Sequence, residues 1–400
     1  MADWEAKPLG EICRFVRGPF GGSLKKEVFV SQGFAVYEQQ HAIYDQFDDV
    51  RYFVDDAKFS EMERFELRPN DLIMSCSGTM GRVAIAPYGI KRGIINQALL
   101  KITPSETVVS EFLKYWMTSS EFQETLAEQA GGVAIQNIAS VSVLKQIKMP
   151  LPPRPEQERI VAMLDGAFVG IATARSNAAK SMQNSCELLG SFAGEVFDRI
   201  GSTYGRRRLG DIVQRLTNGF VGPTRDIYVE QGVPYLLARH VRDNRLKFDG
   251  RTFVTAEFNE RHKKSKLKRG DVLLVQSGHI GHTAVVGFDH EGHNCHAMIV
   301  MTPVEGVLTG EYLSHFFNSP EMRQSFESIR SGSTVPHLTC GAVKELGIPV
   351  PPVEDQQRLV GQLDELESET SRLRDLMTAK AALLDELKRS LLHQAFTRAP

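Results

Sequence analysis

The chain has 400 residues, 42% of them hydrophobic and 24% charged, with a formal net charge of −2. That length leaves room for two or more globular units, and the balance is ordinary for a folded, water-exposed protein. No apolar run reaches the roughly 18 residues that a membrane span requires, and Met1-Ala2-Asp3-Trp4-Glu5 does not read as a secretion signal. The five scattered cysteines (Cys13, Cys76, Cys186, Cys295, Cys340) suit reduced thiols better than a disulfide frame, so a cytoplasmic protein is expected.

Charge is unevenly spread. Residues 1–153 carry 16 basic and 19 acidic side chains, a net −3, whereas 206–353 carry 19 and 15, a net +4, and hold nine of the eleven histidines. A neutral total weakens a nucleic-acid reading without excluding it, since acidic surface elsewhere can mask a basic face.

Taken in chain order, the first stretch mixes short β-type runs such as Asp71-Leu72-Ile73-Met74-Ser75 with glycine-rich turns and one helix predicted over Ser110 to Ala127. Pro152-Pro153 then imposes an extended joint. After it the pattern turns helical, with Pro155 suited to a first turn and Glu156 and Glu158 placed where the helix dipole favours them. The apolar seam runs Ile160, Leu164, Ala167, Ile171, Ala174, Ala178, Ser181, Ser185, Leu188, Phe192.

The second half repeats the first. Leu9-Gly10-Glu11-Ile12 returns as Leu209-Gly210-Asp211-Ile212, Asn70-Asp71-Leu72-Ile73 as Gly270-Asp271-Val272-Leu273, and Ser77-Gly78-Thr79-Met80-Gly81 as Ser277-Gly278-His279-Ile280-Gly281, all offset by 200. Pro150-Leu151-Pro152-Pro153 returns as Pro349-Val350-Pro351-Pro352, offset by 199, and that register holds to Phe197 with Phe396 and Arg199 with Arg398. Collinear matches of this kind mark a duplication. The second half predicts a helix over Thr309 to Ile329 and then a seam at Leu359, Leu363, Leu366, Thr370, Leu373, Met377, Lys380, Leu384, Leu387, Leu391. Steps alternating four and three residues are those of a coiled coil. The Ala/Ser-rich middle of the first seam makes a poor core alone, but against a leucine-rich partner it permits close approach. The two helices, each about 40 residues and about 60 Å long, are therefore expected to pack on each other. Antiparallel packing is favoured, with a globular unit at each end and a pseudo-twofold axis between them. Two helices each packed only on its own unit is the alternative.

Two similar but non-identical readers at a fixed separation suit a ligand with two half-sites, and duplex DNA is the obvious one. The joints Pro150-Leu151-Pro152-Pro153-Arg154-Pro155-Glu156-Gln157-Glu158-Arg159-Ile160 and Pro349-Val350-Pro351-Pro352-Val353-Glu354-Asp355-Gln356-Gln357-Arg358-Leu359 resemble those of the specificity subunits of type I restriction–modification systems. So do the Leu-Gly-(Glu/Asp)-Ile openings and the Ser-Gly-x-x-Gly loops. The resemblance covers essentially the whole chain. It implies an α+β fold of two mixed α/β target recognition domains (1–153 and 204–352), each followed by a long spacer helix (154–203 and 353–400). It also implies a bipartite, asymmetric DNA target, two methyltransferase (modification) subunits docked on the helices, and restriction/translocase subunits joining them. S-adenosylmethionine and ATP with magnesium would be cofactors of those partners, with none in this chain.

Arg or Lys to guanine and Asn or Gln to adenine are the side chains that major-groove readout requires, with others reaching phosphates. In the first unit the candidates are Arg17, Ser23, Lys25 and Lys26 on a glycine-rich loop, then Gln39, Gln40 and His41, then Ser77, Thr79 and Arg82, and Gln97. In the second they are Asn218, Thr224 and Arg225, then Arg239, His240, Arg242, Asn244 and Arg245, then Lys263 and Lys264, then Ser277, His279 and His282, and His296. Each has a plainer alternative: a surface loop, a tight turn, or, for the lysine run, a solvated face. His279, His282, His290, His293, Cys295 and His296 invite a zinc reading, but the first unit has no ligand-type residues at the matched positions apart from Gln97, so no metal is expected. Phosphate-loop, methyltransferase and nucleophile-elbow motifs are absent, and Asp71 and Asp271 are read as turn residues. The expectation is therefore a non-catalytic DNA reader. A coiled-coil scaffold whose globular units bind protein, and a divergent DNA-modifying enzyme, are the alternatives.

Overall fold

The computed structural model describes residues 4–20, 22–129, 140–242, 244–330 and 337–397. Among the described residues, no helix is long and apolar enough to cross a membrane. The chain divides into two compact units, one of residues 1–178 with 379–400 and one of residues 179–378.

Each unit is closed by a small two-stranded ladder at its own joint. Ala6–Pro8 runs antiparallel to Lys148–Pro150 in the first, and Arg206–Arg208 to Gly347–Pro349 in the second. Inside the first unit an antiparallel sheet has the order Cys13–Arg17, Leu99–Pro104, Leu72–Ser75, Val83–Ile85. A second sheet, Tyr52–Val54, Phe34–Tyr37, Gly93–Ile95, Glu66–Leu67, contains a parallel pair, Phe34–Tyr37 with Gly93–Ile95. The second unit repeats both sheets, with Val213–Asn218, Met298–Pro303, Val272–Val275 and Thr283–Val285 in the first and Val233–Leu236 parallel to Asn294–Cys295 in the second.

Strand alternation explains the layering. Leu72 and Met74 enter the core that holds Phe112, Leu113 and Trp116, while Ile73 between them enters the core behind, with Tyr37 and Ala84. Successive strand side chains point to opposite faces, so an all-apolar run makes a buried middle layer between helices and a second sheet. Val272 and Leu274 against Leu273 and Val275 repeat this division.

The helices predicted over Ser110–Ala127 and Thr309–Ile329 are each two helices, Ser110–Thr118 with Ser120–Gln129 and Gly310–Asn318 with Pro320–Ile329. The break has a local cause. Ser319 sits extended and its hydroxyl accepts from the Met322 backbone as a cap, and Pro320 cannot continue a preceding helix. Ser119 is likewise extended, and the Phe122 N–H donates to its hydroxyl (3.4 Å).

The long helices, Arg154–Tyr204 and Val353–Thr397, have 51 and 45 residues, against the roughly 40 spanned by the seams. The first stops at Gly205, whose φ of 71° is the left-handed conformation common just past a helix end. Within each unit the two helices run antiparallel. In the first, Ile160 and Leu164 share a core with Leu392, Ala395 and Phe396, and Arg175 pairs with Asp385. In the second, Ala193 and Phe197 share a core with Leu359 and Leu363, and the Tyr204 hydroxyl donates to Asp355 (3.0 Å). The seam differs from the expected one near its ends: Leu188 is 62% exposed and Leu387 47%, whereas Ala193, Phe197, Leu392 and Phe396 are buried. A straight helix drifts about 20° per heptad from a strict seven-residue repeat, and these last turns face the globular core, where Phe197 meets Phe316 and Phe396 meets Phe112.

Candidate nucleic-acid interface

Strand direction gathers most of the candidate residues. In the first unit Cys13–Arg17, Phe34–Tyr37, Leu72–Ser75 and Gly93–Ile95 end, and Leu99–Pro104 begins, where the chain carries Arg17, Gln39, Ser77 and Gln97. Hydrogen bonds tie these loops together. Gln39 Nε2 donates to the Ser77 carbonyl (2.5 Å), and the Ser77 hydroxyl donates to Gln39 Oε1 (3.0 Å). Gly18 packs so closely on the chain before Gln97 that a Cβ there would lie 1.9 Å from the Asn96 carbonyl oxygen. Gly219 makes the same approach to Cys295, whose carbonyl oxygen would lie 2.5 Å from an added Cβ, and the next residue, Phe220, bridges to His296. Only glycine fits where two backbones come this near. Lys25, Lys26, Thr79, Arg82 and Gln97 are exposed, as are Asn218, Arg225, Arg239, Arg242, Arg245 and His279, while Ser23, Gln40, Thr224, Ser277 and His282 are half-buried.

Other candidates face inward. His41 and His240 are 1% and 2% exposed. Each imidazole Nδ1 accepts the backbone N–H of the residue three before it, Glu38 (2.8 Å) or Leu237 (3.0 Å), while Nε2 faces the Asp49 carbonyl (3.1 Å) or the Asp249 carboxylate (3.0 Å). These rings shape the loop and offer no free edge. Burial pushes the His240 imidazole below its ordinary value, with Asp249 acting the other way. Arg17 is half-buried beside Cys76, whose thiol burial pushes up to about 11 against the nearby guanidinium. Asn244 has all of its amide engaged: Oδ1 accepts from Ser314 (2.8 Å) and Asn318 (2.5 Å), and Nδ2 donates to Glu367 (2.8 Å) and His315 Nδ1 (3.2 Å). Lys263 and Lys264 are exposed but stand apart from the gathered loops. The Lys264 carbonyl accepts from Arg215 (3.3 Å), which pairs with Asp271 ahead of Val272–Val275, whereas Ser277 follows that strand's end. Gly21 and Asp243, in two of the candidate loops, lie outside the described residues.

Asp71 and Asp271 have structural work. Asp71 accepts the Arg68 N–H (2.9 Å) and the Thr103 hydroxyl, and Asp271 the Lys268 N–H (2.7 Å) and the Thr302 hydroxyl. In the histidine-rich run, Cys295 is fully buried, its thiol pushed up to about 12 by burial, and burial lowers His290, His293 and His296. Among the described residues, the grouping of three that brings potential ligand atoms together is not in that run but is His315, Asp364 and Glu367. There His315 Nε2 faces Asp364 (2.9 Å) and Nδ1 faces Asn244, a hydrogen-bonded network complete without an ion.

Sequence reasoning passed over two residues that hold the assembly of each unit. Gln157 and Gln356, in the proline joints, are fully buried. Gln157 Oε1 accepts the Val109 N–H (2.8 Å) and its Nε2 donates to the Thr107 and Pro152 carbonyls (both 2.9 Å). Gln356 makes the matching set with Thr309, Val307 and Pro351. One side chain thus ties the start of a long helix to the start of the domain helix. The signal was there, the same glutamine in both joints, but a polar residue in a polar stretch reads as surface.

The model of the family "type I restriction modification DNA specificity domain" matches residues 1–178 and again 202–379. The chain belongs to that family, whose role is DNA sequence recognition and which is not the catalytic part of these systems. It is 20% identical over 361 residues to the specificity subunit of the type I restriction enzyme EcoBI of Escherichia coli, covering 84% of this chain and 74% of that one. It is 19% identical over 386 residues to the MjaVIII specificity subunit of Methanocaldococcus jannaschii, covering 92% and 86%. The fold is similar to a chain from a structure on complex assembly and conformational transition of the type I R-M system (TM-score 0.77, 20% identity, 99% and 98% covered). It is also similar to the HsdS subunit from Thermoanaerobacter tengcongensis (TM-score 0.63, 20% identity, 99% and 97% covered).

Proposed function

We propose that this chain reads a bipartite, asymmetric duplex target, one half-site through the loops of each unit, and docks two methyltransferase subunits and restriction/translocase subunits on its long helices. The observation that carries the reading is the gathering of polar and cationic side chains at corresponding strand ends of two duplicated units, with different chemistry in each: Gln39, Ser77 and Gln97 in one, Arg239, Arg242, Arg245 and His296 in the other. Exposed Lys25, Lys26, Arg82 and Arg225 suit phosphate contacts that set register, and exposed amides suit base edges. Both long helices also leave apolar side chains in solvent, Val169, Leu188, Leu376, Leu383 and Leu387, which fits partner docking better than a solitary coiled coil. S-adenosylmethionine and ATP with magnesium would belong to those partners, and the complex would act in the cytoplasm.

Methylome sequencing of a host carrying the chain with its methyltransferase partner tests this. The expected result is methylated adenine in both halves of a split site, and a change in one half alone when the loops of one unit are exchanged. Equal binding of random and bipartite duplexes by the purified complex would overturn it.

A further inference from the structure

Among the described residues, a cleft of about 450 Å3 beside the Asn244 network is lined by Arg239, Arg242, Arg245, Lys247, Arg323 and Arg374, against one carboxylate, Glu367. Arg239 is paired with Asp249. Among the described residues the other five cations make no ion pair; the Glu367 carboxylate accepts from Asn244 (2.8 Å), lies 3.6 Å from His315 Nδ1 and feels the charge of nearby Arg245. Arg242 and Arg245 sit directly opposite each other in a short hairpin, Arg323 comes from the helix Pro320–Ile329, and Arg374 from the second long helix. Like charges opposed across a strand pair are destabilising, so the gathering of cations here has no structural benefit of its own.

Nor does the shared fold require it. At the matching offsets the first unit carries Gln40, Ile43, Gln46, Asp48, Gln123 and Arg175, and Arg175 is neutralised by Asp385. What a set of guanidinium forks in excess of the nearby carboxylates fits is an oxyanion, and phosphate above all, because the planar fork matches two of its oxygens. The hairpin also follows the end of strand Val233–Leu236, on the loop edge that carries Ser277 and His296.

We propose that this cleft binds a phosphate of the DNA backbone and so anchors the second unit on the duplex without reading a base. The proposal rests on the DNA-reading function above and adds Lys247, Arg323 and Arg374, which the sequence did not mark.

The test uses the full chain, a fluorescent 40-base-pair duplex of random sequence and a series of salt concentrations. With Arg323→Gln and Arg374→Gln together, affinity near 0.1 M salt should fall about eight- to tenfold and the slope of log K against log salt should flatten by about one. Arg374→Lys, which keeps the charge, should retain the slope, and Arg242→Gln should lose part of it independently. Unchanged thermal midpoints exclude unfolding as the cause. A double variant with wild-type affinity and slope overturns the phosphate cleft and leaves the DNA reading standing. A wild-type chain that binds no duplex, alone or with its methyltransferase partners, overturns both. If calorimetry finds micromolar binding of inorganic phosphate that the double variant loses, while the duplex slope is unchanged, the cleft serves a free phosphate and its assignment to DNA fails.

Discussion

Asp45 and Asn244 occupy the same place in the two units, 199 residues apart, and both adopt the left-handed conformation, φ 54° and 57°. Four residues earlier each unit sets the same histidine, His41 or His240, as a buried backbone cap. Between and around these fixed points the chemistry parts. The first unit builds the helix Gln39–Tyr44 and holds the exposed Asp45 with one half-buried lysine, Lys114 (2.6 Å). The second builds the hairpin Val241–Arg242 with Arg245–Leu246 and locks Asn244 with Ser314, His315, Asn318 and Glu367. The duplication has kept the backbone turns and caps and has let go of the side chains around them.

That comparison can be broken most directly at what the units share. Gln157→Leu or Gln356→Leu leaves a buried N–H and two carbonyls without partners, and should destabilise the corresponding unit by roughly 2–4 kcal/mol in denaturant unfolding. Equal costs in both units would confirm the joint as a common device, and a loss under about 0.5 kcal/mol would show that the prolines alone suffice. Next comes the point of divergence. Asn244→Ala should cost about 2 kcal/mol, and Asp45→Ala less than about 1 kcal/mol, because its single ion pair is exposed. Similar values for the two would mean that the network adds nothing beyond the turn.

The histidines separate the units by pH. His240, His290, His293 and His296 are all lowered by burial. Their unfolded forms therefore take up protons at a higher pH than the folded ones. Stability is full above the unfolded value of about 6.5 and falls as pH drops from there toward the lowered folded values. The second unit should thus lose thermal stability as pH falls below about 6.5, and calorimetry of His240→Gln should show a flatter decline. The smallest effect concerns the exposed seam: Leu188→Ser and Leu387→Ser should shift stability by under about 0.5 kcal/mol while weakening capture of the methyltransferase subunit in a pull-down.

Much of this molecule was legible in its residues because duplication is a pattern in the chain itself. The repeat, the strands at Leu72 and Val272, the proline joints and the antiparallel helices follow from offsets, alternation and heptads, which are local or periodic signals. Asp71 and Asp271 were readable as turn residues for the same reason. Which polar side chains face outward was not. His41, His240 and Asn244 look like readers in a sequence because they are polar and sit in loops, yet backbone N–H groups and side chains up to 123 positions away claim their hydrogen-bonding atoms. The helix break at Ser119 was missed because a capping serine inside an apolar period resembles an interior serine.

The sequence alone therefore determined the two-part plan, since burial of apolar periodicity leaves few alternatives, and the resemblance of its proline joints pointed to the class. Only the tertiary structure decided which candidates remain available to a ligand and that five cations from three separate segments, without an ion pair among the described residues, line one cleft. Hydrogen bonds and charge depend on distance in space, and the chain brings Arg242 within one cleft of Arg374 only by folding.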